Sequence, residues 1–211
     1  VRAKARDEKN IRQSPHAFAV LRDPVDRFLS LYFDKIYGDG PNNFTDIRAY
    51  LAEETGLDLN RNLDADAHRE NCIRFIDWLA LNLSFKTDMP VNHHWRRQSS
   101  RLQRVDSLDI THLTLDGLSW QLPLLLGDVV PDIKQAMQEV KSDNRTDKPF
   151  ARTEVLDAML VGKIETVYAD DMKLYQQASL KWQPWLGYHS EVNEDETIRC
   201  FTATEHPINC V

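Results

Sequence analysis

The segment FAVLRDPVDRFLSLYFDKI, residues 18–36, constrains the fold of this chain more than any other segment. A short apolar run at residues 17–21 is typical of a buried parallel strand and stops at Arg22. Asp23 can cap a following helix that has Pro24 as its first residue. Apolar residues then recur at helical spacing. The segment therefore predicts an inner strand of a small parallel sheet, followed by an amphipathic helix, in an α/β fold.

The rest of the chain is predicted to be mostly helical and to form one domain. Its 211 residues are 42% apolar, which suits a single core. Residues 110–115 alternate as a strand does, and the tail at 181–211 has no clear pattern. Further helices are predicted at residues 46–54, 68–83, 128–140, 153–164 and 165–180, and residues 118–126 are strongly apolar.

Net charge and cysteine content narrow the functional classes. A net charge of −7 disfavours nonspecific binding of nucleic acid. No apolar run is long enough to span a membrane, and no signal peptide is visible. Few, scattered cysteines favour a reduced compartment, the bacterial cytoplasm, and disfavour a zinc site. The alternative compartment is a secretory lumen such as the Golgi, which three Asn-x-Ser/Thr triplets suggest, at Asn43, Asn82 and Asn144.

Charge is distributed unevenly along the chain. Residues 86–104 hold five basic residues and one acid, whereas residues 46–70 hold seven acids and three basic residues. A basic loop on an acidic body is what an anion-binding pocket needs. The alternative is an ordinary solvated surface.

The junction between the predicted strand and helix suggests a phosphate site. Arg22 lies at the carboxyl end of the strand, the edge at which open α/β sheets bind ligands. Its guanidinium offers a planar fork that suits phosphate oxygens, and Ser30 adds an uncharged donor. The helix N-terminus adds a positive field. These groups can hold a phosphate monoester without a metal. The alternative is a common strand–helix junction in which Arg22 pairs with Asp26.

The same segment resembles the 3′-phosphate-binding signature of sulfotransferases that use 3′-phosphoadenosine-5′-phosphosulfate (PAPS), a strand followed by R-D-P-x-x-R-x-x-S-x-Y. Every fixed position of that pattern is met. The resemblance implies a P-loop-NTPase-like fold and no metal. It assigns the 3′-phosphate of PAPS, or of the product 3′-phosphoadenosine 5′-phosphate (PAP), to Arg22 and Ser30. It gives supporting roles to Arg27 and Tyr32.

Weaker matches resemble the carbohydrate-type, membrane-associated branch of that family. VNHHWRRQSSRL at 91–102 is similar to its histidine-aromatic-x-x-Gln segment, and ETVYADDMKLYQ at 165–176 to its Tyr-x-x-Asp-x-x-x-Tyr helix. SDNRTDKPF at 142–150 resembles a loop near the nucleotide. The implied acceptor is a carbohydrate or another hydroxyl compound. Candidate acceptor-binding residues are His94, Trp95 and Arg96, with Trp95 stacking on a sugar ring or, equally, pinning a folded loop.

The family's upstream loop, which holds the 5′-phosphosulfate, has no counterpart in the sequence. Only 16 residues precede Ala17, and none is glycine. This element is either lost, outside this sequence or on another chain, and in the second case the domain lacks its N-terminal part here. The catalytic base is unknown, with His16 as a weak candidate. The alternative function is a non-catalytic binding or assembly module with an incomplete donor site. A P-loop kinase relative that uses ATP is disfavoured, because the G-x-x-x-x-G-K-[ST] pattern is absent.

Overall fold

The computed structural model describes residues 16–38, 44–60, 62–103, 109–139 and 149–190, with side chains up to residue 185. These parts of the chain are mostly helical and carry one small parallel sheet. The coarse prediction of an α/β chain with a largely helical remainder is confirmed. The triplets at Asn43 and Asn144 and the loop at 142–148 lie outside the described residues.

The sheet has two parallel strands within the described residues. Strand β1, Phe18–Leu21, pairs with strand β2, Thr111–Thr114, and Leu21 lies opposite Thr114. Leu21 is buried, but Phe18 and Val20, which point to the other face, are 40% and 39% exposed. Among the described residues β1 has one neighbouring strand and one covered face, so the prediction of an inner, buried strand is wrong there.

The predicted helix after β1 is confirmed. Helix α1, Pro24–Leu31, begins with Pro24 and is capped by Asp23, whose carboxylate accepts a hydrogen bond from the Asp26 amide at 2.9 Å. It continues without a break into a π-helical segment, π1, at Tyr32–Tyr37. The apolar stripe predicted from the sequence is buried along both segments.

Most of the other predicted helices are present with shifted ends. Within the described residues, the helix at Ile133–Glu139 is shorter than the predicted 128–140, a short helix at Gln98–Leu102 lies in the basic segment 86–104, and the helix that begins at Ala169 continues through the first ten residues of the tail at 181–211. The remaining helices are α2 Thr45–Thr55, α3 Ala65–Asn82, α4 Gln98–Leu102, α5 Leu118–Leu126, α6 Ile133–Glu139, α7 Arg152–Val155, α8 Ala158–Val167 and α9 Ala169–Ser190.

The main core lies where α1, α3 and α8 pack together, and it extends to Trp95 in the segment before α4. Trp95 is fully buried, and its indole N–H donates to Asn82 Oδ1 at 2.8 Å. The Asn82 amide in turn donates to Thr87 Oγ1 and the Met89 carbonyl. Since Asn82 is 1% exposed and its amide is bonded on both sides, this triplet is not accessible for glycosylation in the folded chain.

A buried polar network links π1 to α3. Asn71 Nδ2 donates to Tyr32 Oη at 3.2 Å, and the same Tyr32 hydroxyl is hydrogen-bonded to His68 Nδ1 at 2.9 Å. His68 is 0% exposed and surrounded by the rings of Phe33 and Phe150. Burial lowers the pKa of His68 below its usual 6.5, although Asp64 opposes this.

Acid should destabilise the chain through His68. A histidine with a depressed folded pKa stabilises the fold fully above its unfolded pKa of about 6.5, and that stability is lost as the pH falls towards the folded value. As the pH is lowered, the free energy of unfolding, measured by urea denaturation, should therefore decrease more steeply in the wild type than in His68→Asn. The difference in slope should be at most about 1.4 kcal/mol per pH unit.

The matched control is Leu81→Asn on the same helix, because the Leu81 side chain is exposed and carries no titrating group. Its pH dependence should follow the wild type. Parallel pH profiles for the wild type and His68→Asn would show that His68 does not titrate on unfolding.

Candidate functional site

The predicted phosphate-binding residues lie side by side in the structure. Arg22 directly follows β1, and Ser30 lies two turns into α1. The Arg22 Nη2 group donates to Ser30 Oγ at 2.5 Å, and Ser30 is 6% exposed. The strand end and the helix thus place one guanidinium and one hydroxyl at a shared, partly buried position along the side of α1.

Arg22 has no carboxylate partner among the described residues. Asp26, the partner in the alternative interpretation, instead accepts from Arg152 Nη1 at 2.8 Å, and Asp23 caps α1. Burial and, after it, the neighbouring charge of Arg27 lower the pKa of Arg22, while Asp26 and Asp23 oppose the shift. A half-buried guanidinium without an acid in contact is electrostatically suited to bind an anion.

The backbone of Arg22 is fixed by a side chain from the basic segment. The Arg22 amide donates to Gln98 Oε1 at 3.0 Å, and Gln98 Nε2 donates to the Arg22 carbonyl at 2.8 Å. The segment that contains Gln98 is therefore on the same side of the molecule as Arg22 and Ser30, as the sequence interpretation requires.

Arg27 performs a different task from Arg22. Its Nη2 group donates to the carbonyls of His94 and Arg96, and its Nη1 group lies 3.4 Å from Asp171 Oδ2. Its guanidinium also lies 5.8 Å from the ring centre of Tyr168. Arg27 thus holds the loop before α4 against α1, which agrees with the supporting role that the resemblance implies.

Asp171 is the common acceptor for this loop. Its carboxylate, 1% exposed, accepts from the Gln98 amide at 2.7 Å and from the Ser99 amide and hydroxyl at 2.8 and 2.7 Å. Nearby, the Tyr168 hydroxyl donates to the Trp95 carbonyl at 3.0 Å. Three separate sequence motifs, on α1, before α4 and on α9, therefore meet at one place.

The comparisons with known proteins agree with this convergence. A family model described as the sulfotransferase family matches residues 3–177. The chain belongs to the sulfotransferase family. No curated protein matches it, and no solved structure matches it.

One predicted acceptor contact of this sulfotransferase must be corrected. Trp95 was expected either to stack on a sugar ring or to pin the loop, and it is 0% exposed, packed edge-on against Trp78 and bonded to Asn82. A ring without exposed surface cannot stack on a sugar, so Trp95 is a core residue that anchors the loop.

The other two acceptor candidates keep partly exposed side chains. The His94 ring contacts Phe44 and His93, and burial, followed by the charges of His93 and Lys35, lowers its pKa. Arg96 donates to the Val91 carbonyl. The carbonyls of His94 and Arg96 are bound by Arg27, so the backbone at both positions is structural whatever their side chains do.

Two exposed or partly exposed arginines gather beside this loop. Arg101 Nη2 donates to the His93 carbonyl. Burial lowers the pKa of Arg101, and the charges of Arg27 and Arg96 lower it further. Within the described residues neither Arg96 nor Arg101 is in an ion pair, so the two form a concentration of positive charge near Arg27. We call Arg96 and Arg101 the loop arginines.

The structure does not bring His16 to this site. His16 lies in a turn at the amino end of β1, whereas Arg22 follows the carboxyl end of the same strand. Neither a metal-binding group of three His, Cys, Asp or Glu side chains nor a helix suited to cross a membrane occurs in the described ranges.

Sequence reasoning noticed the motifs that contain Gln98 and Asp171 but assigned neither residue a role. The sequence does contain one indication of a role for Asp171. Asp171 lies at helical spacing from Tyr168, Ala178 and Trp182, and all three of these residues are buried. An acid on a buried stripe is rare unless it is paired, so its position indicates a partner.

Removing the charge of Arg27 should destabilise the fold, whereas removing the charge of Arg22 should not. Arg27→Met leaves buried Asp171 without its cation and frees two carbonyls, so it should lower the free energy of unfolding by about 3 kcal/mol. Arg22→Met removes a half-buried charge that has no acid partner, so it should change stability by less than about 0.5 kcal/mol or raise it. Urea denaturation of both variants and the wild type measures this. Equal losses in the two variants would show that Arg22 is also a structural residue.

Proposed function

We propose that the protein transfers a sulfuryl group from PAPS to a hydroxyl of a carbohydrate acceptor, and that Arg22 and Ser30 bind the 3′-phosphate of the donor. The observation that carries the proposal is the Arg22–Ser30 pair, whose guanidinium has no carboxylate in contact within the described part of the chain. Membership of the sulfotransferase family supports the reaction class.

The donors at this position suit a phosphate monoester. The Arg22 guanidinium has further N–H groups besides the one bound to Ser30, and its planar fork matches two phosphate oxygens. The Ser30 oxygen accepts a hydrogen bond from Arg22, so the hydroxyl proton of Ser30 can turn and donate to a phosphate oxygen. The bound phosphate would supply the counter-charge that the described residues do not.

The donor supplies the sulfuryl group, which the acceptor hydroxyl takes in an in-line displacement that leaves PAP. A base must remove the hydroxyl proton, and cationic donors must meet the charge that grows on the leaving oxygen. Among the described residues we assign neither of these roles. The proposed P-loop-NTPase-like architecture would place such groups at the carboxyl end of β1, where Arg22 lies.

The loop arginines support an acidic acceptor. Arg96 lies in the segment before α4, and Arg101 lies on α4, the helix whose Gln98 contacts Arg22. A sugar chain that crosses this part of the surface would meet two cations that have no acid partner among the described residues. Carboxylate or sulfate groups on the sugar would form charge-assisted hydrogen bonds with them.

PAP should bind the full-length protein through its 3′-phosphate. Arg22→Ala should weaken PAP binding by roughly 30- to 1000-fold, equivalent to about 2–4 kcal/mol, because a charge-assisted and bidentate pair is lost. Ser30→Ala removes one neutral donor and should cost about 1.5–3 kcal/mol. Isothermal titration calorimetry of the three proteins measures these changes.

The control ligand is adenosine 5′-phosphate, which lacks the 3′-phosphate. It should bind weakly and equally to the wild type and both variants. If Arg22→Ala weakens both nucleotides alike, or weakens neither, the 3′-phosphate does not bind at Arg22.

The acceptor side is tested by sulfuryl transfer from PAPS with acidic and neutral oligosaccharides. Arg96→Gln should raise the KM of an acidic acceptor by about 3- to 10-fold and leave that of a neutral acceptor unchanged. The matched control is Lys86→Gln, an exposed cation at the other end of the same basic segment. Absence of transfer by the full-length protein to any acceptor, together with normal PAP binding, would favour a binding module.

A further inference from the structure

The backbone of Arg22 is held on the side that faces away from β2. The Leu21 carbonyl accepts from the Leu115 amide at 2.7 Å, next to the last residue pair of the ladder. Successive residues of an extended chain point their backbone groups to opposite edges, so Arg22 presents its N–H and C=O groups to the other edge. Gln98 binds both of these groups with its one side-chain amide. It thus takes the place of a neighbouring strand at a single residue.

Gln98 is in turn fixed from the C-terminal helix. Helix α4 begins at Gln98, and the residue before it, Arg97, makes no capping hydrogen bond with its side chain. Asp171 on α9 supplies the cap instead by accepting from the amides of Gln98 and Ser99. The start of α4, and with it the Gln98 side chain, is therefore set by a buried carboxylate 73 residues away in sequence.

The contacts form one continuous connection from Asp171 through Gln98 to Arg22 and then to Ser30. Its last two members are the proposed phosphate ligands. Asp171 and Gln98 make no hydrogen bond to the Arg22 guanidinium or to the Ser30 hydroxyl among the described residues. Their effect on a bound phosphate must then pass through the orientation of Arg22.

We propose that Gln98 and Asp171 are positioning residues that pre-orient the Arg22 guanidinium for the 3′-phosphate. The inference rests on the proposed function of Arg22. Without the Gln98 clamp, the end of β1 is free on one edge, and Arg22 must be ordered when the ligand binds. That ordering reduces affinity for the 3′-phosphate and leaves contacts to the rest of the nucleotide unchanged.

Gln98→Met keeps the length of the side chain and removes both hydrogen bonds to Arg22. In the full-length protein it should weaken PAP binding by about 3- to 10-fold and leave adenosine 5′-phosphate binding unchanged. Gln103→Met is the matched control, since Gln103 is exposed near the end of the same helix. It should bind both nucleotides as the wild type does.

A double-mutant cycle separates positioning from a general structural role. If Gln98 acts through Arg22, Gln98→Met should weaken PAP binding in the wild type and have no further effect in Arg22→Ala. Asp171→Asn should follow the same pattern, with Asp170→Asn, an exposed neighbour on α9, as its control. If Asp171→Asn does not fold, the double-mutant cycle of Gln98→Met with Arg22→Ala tests the positioning role by itself.

The two proposals fail in different ways. If Arg22→Ala keeps the preference for PAP over adenosine 5′-phosphate, the assignment of the phosphate to Arg22 is wrong. The positioning role is overturned if Arg22→Ala loses that preference but Gln98→Met retains it. It is also overturned if Gln98→Met weakens PAP binding equally in the wild type and in Arg22→Ala. In either case Arg22 binds the phosphate without help from Gln98.

Discussion

The buried carboxylate of Asp171 is the interaction on which the site depends. It accepts hydrogen bonds from the start of α4 and lies against the Arg27 guanidinium, so that α9, α1 and the loop between them share one ionic contact. A buried charge of this kind is tolerated only because several donors surround it. The arrangement fixes a loop that contains little regular structure and few apolar residues other than Trp95.

The two arginines of the R-D-P-x-x-R pattern differ in their contacts, since Arg27 is used within the fold and Arg22 is left for a ligand. Arg27 uses its donors on two carbonyls and a carboxylate, all from the chain itself. Arg22, five residues earlier, bonds through its side chain to a hydroxyl, and the nearby Asp26 is paired with Arg152. Asp26 therefore bonds Arg152 and not Arg22, so the Arg22 guanidinium has no carboxylate in contact among the described residues and is available for a ligand.

The sequence predicted the local features well because their causes are local. The Asp23 cap, Pro24 at the first helical position and the apolar stripe of α1 each depend on residues within one or two turns. The Arg22–Gln98 and Asp171–Gln98 contacts join residues 76 and 73 positions apart, and no periodicity records such a pairing. Trp95 could not be placed either, since its burial depends on Trp78 and Asn82 of a distant helix.

The exposure of β1 was missed for a related reason. An apolar run indicates that a strand is able to be buried, whereas burial itself depends on which elements cover each face and edge. The family and the coarse fold agree with the sequence interpretation, and the roles of Arg22 and Ser30 stay predictions.

The most direct test of the central claim is a crystal structure of the full-length protein with PAP. The account predicts that oxygens of the 3′-phosphate lie about 3 Å from the Arg22 guanidinium and from Ser30 Oγ, with Gln98 still bound to the Arg22 backbone. A nucleotide bound with its 3′-phosphate away from Arg22, and with the Arg22–Ser30 pair unchanged, would contradict it.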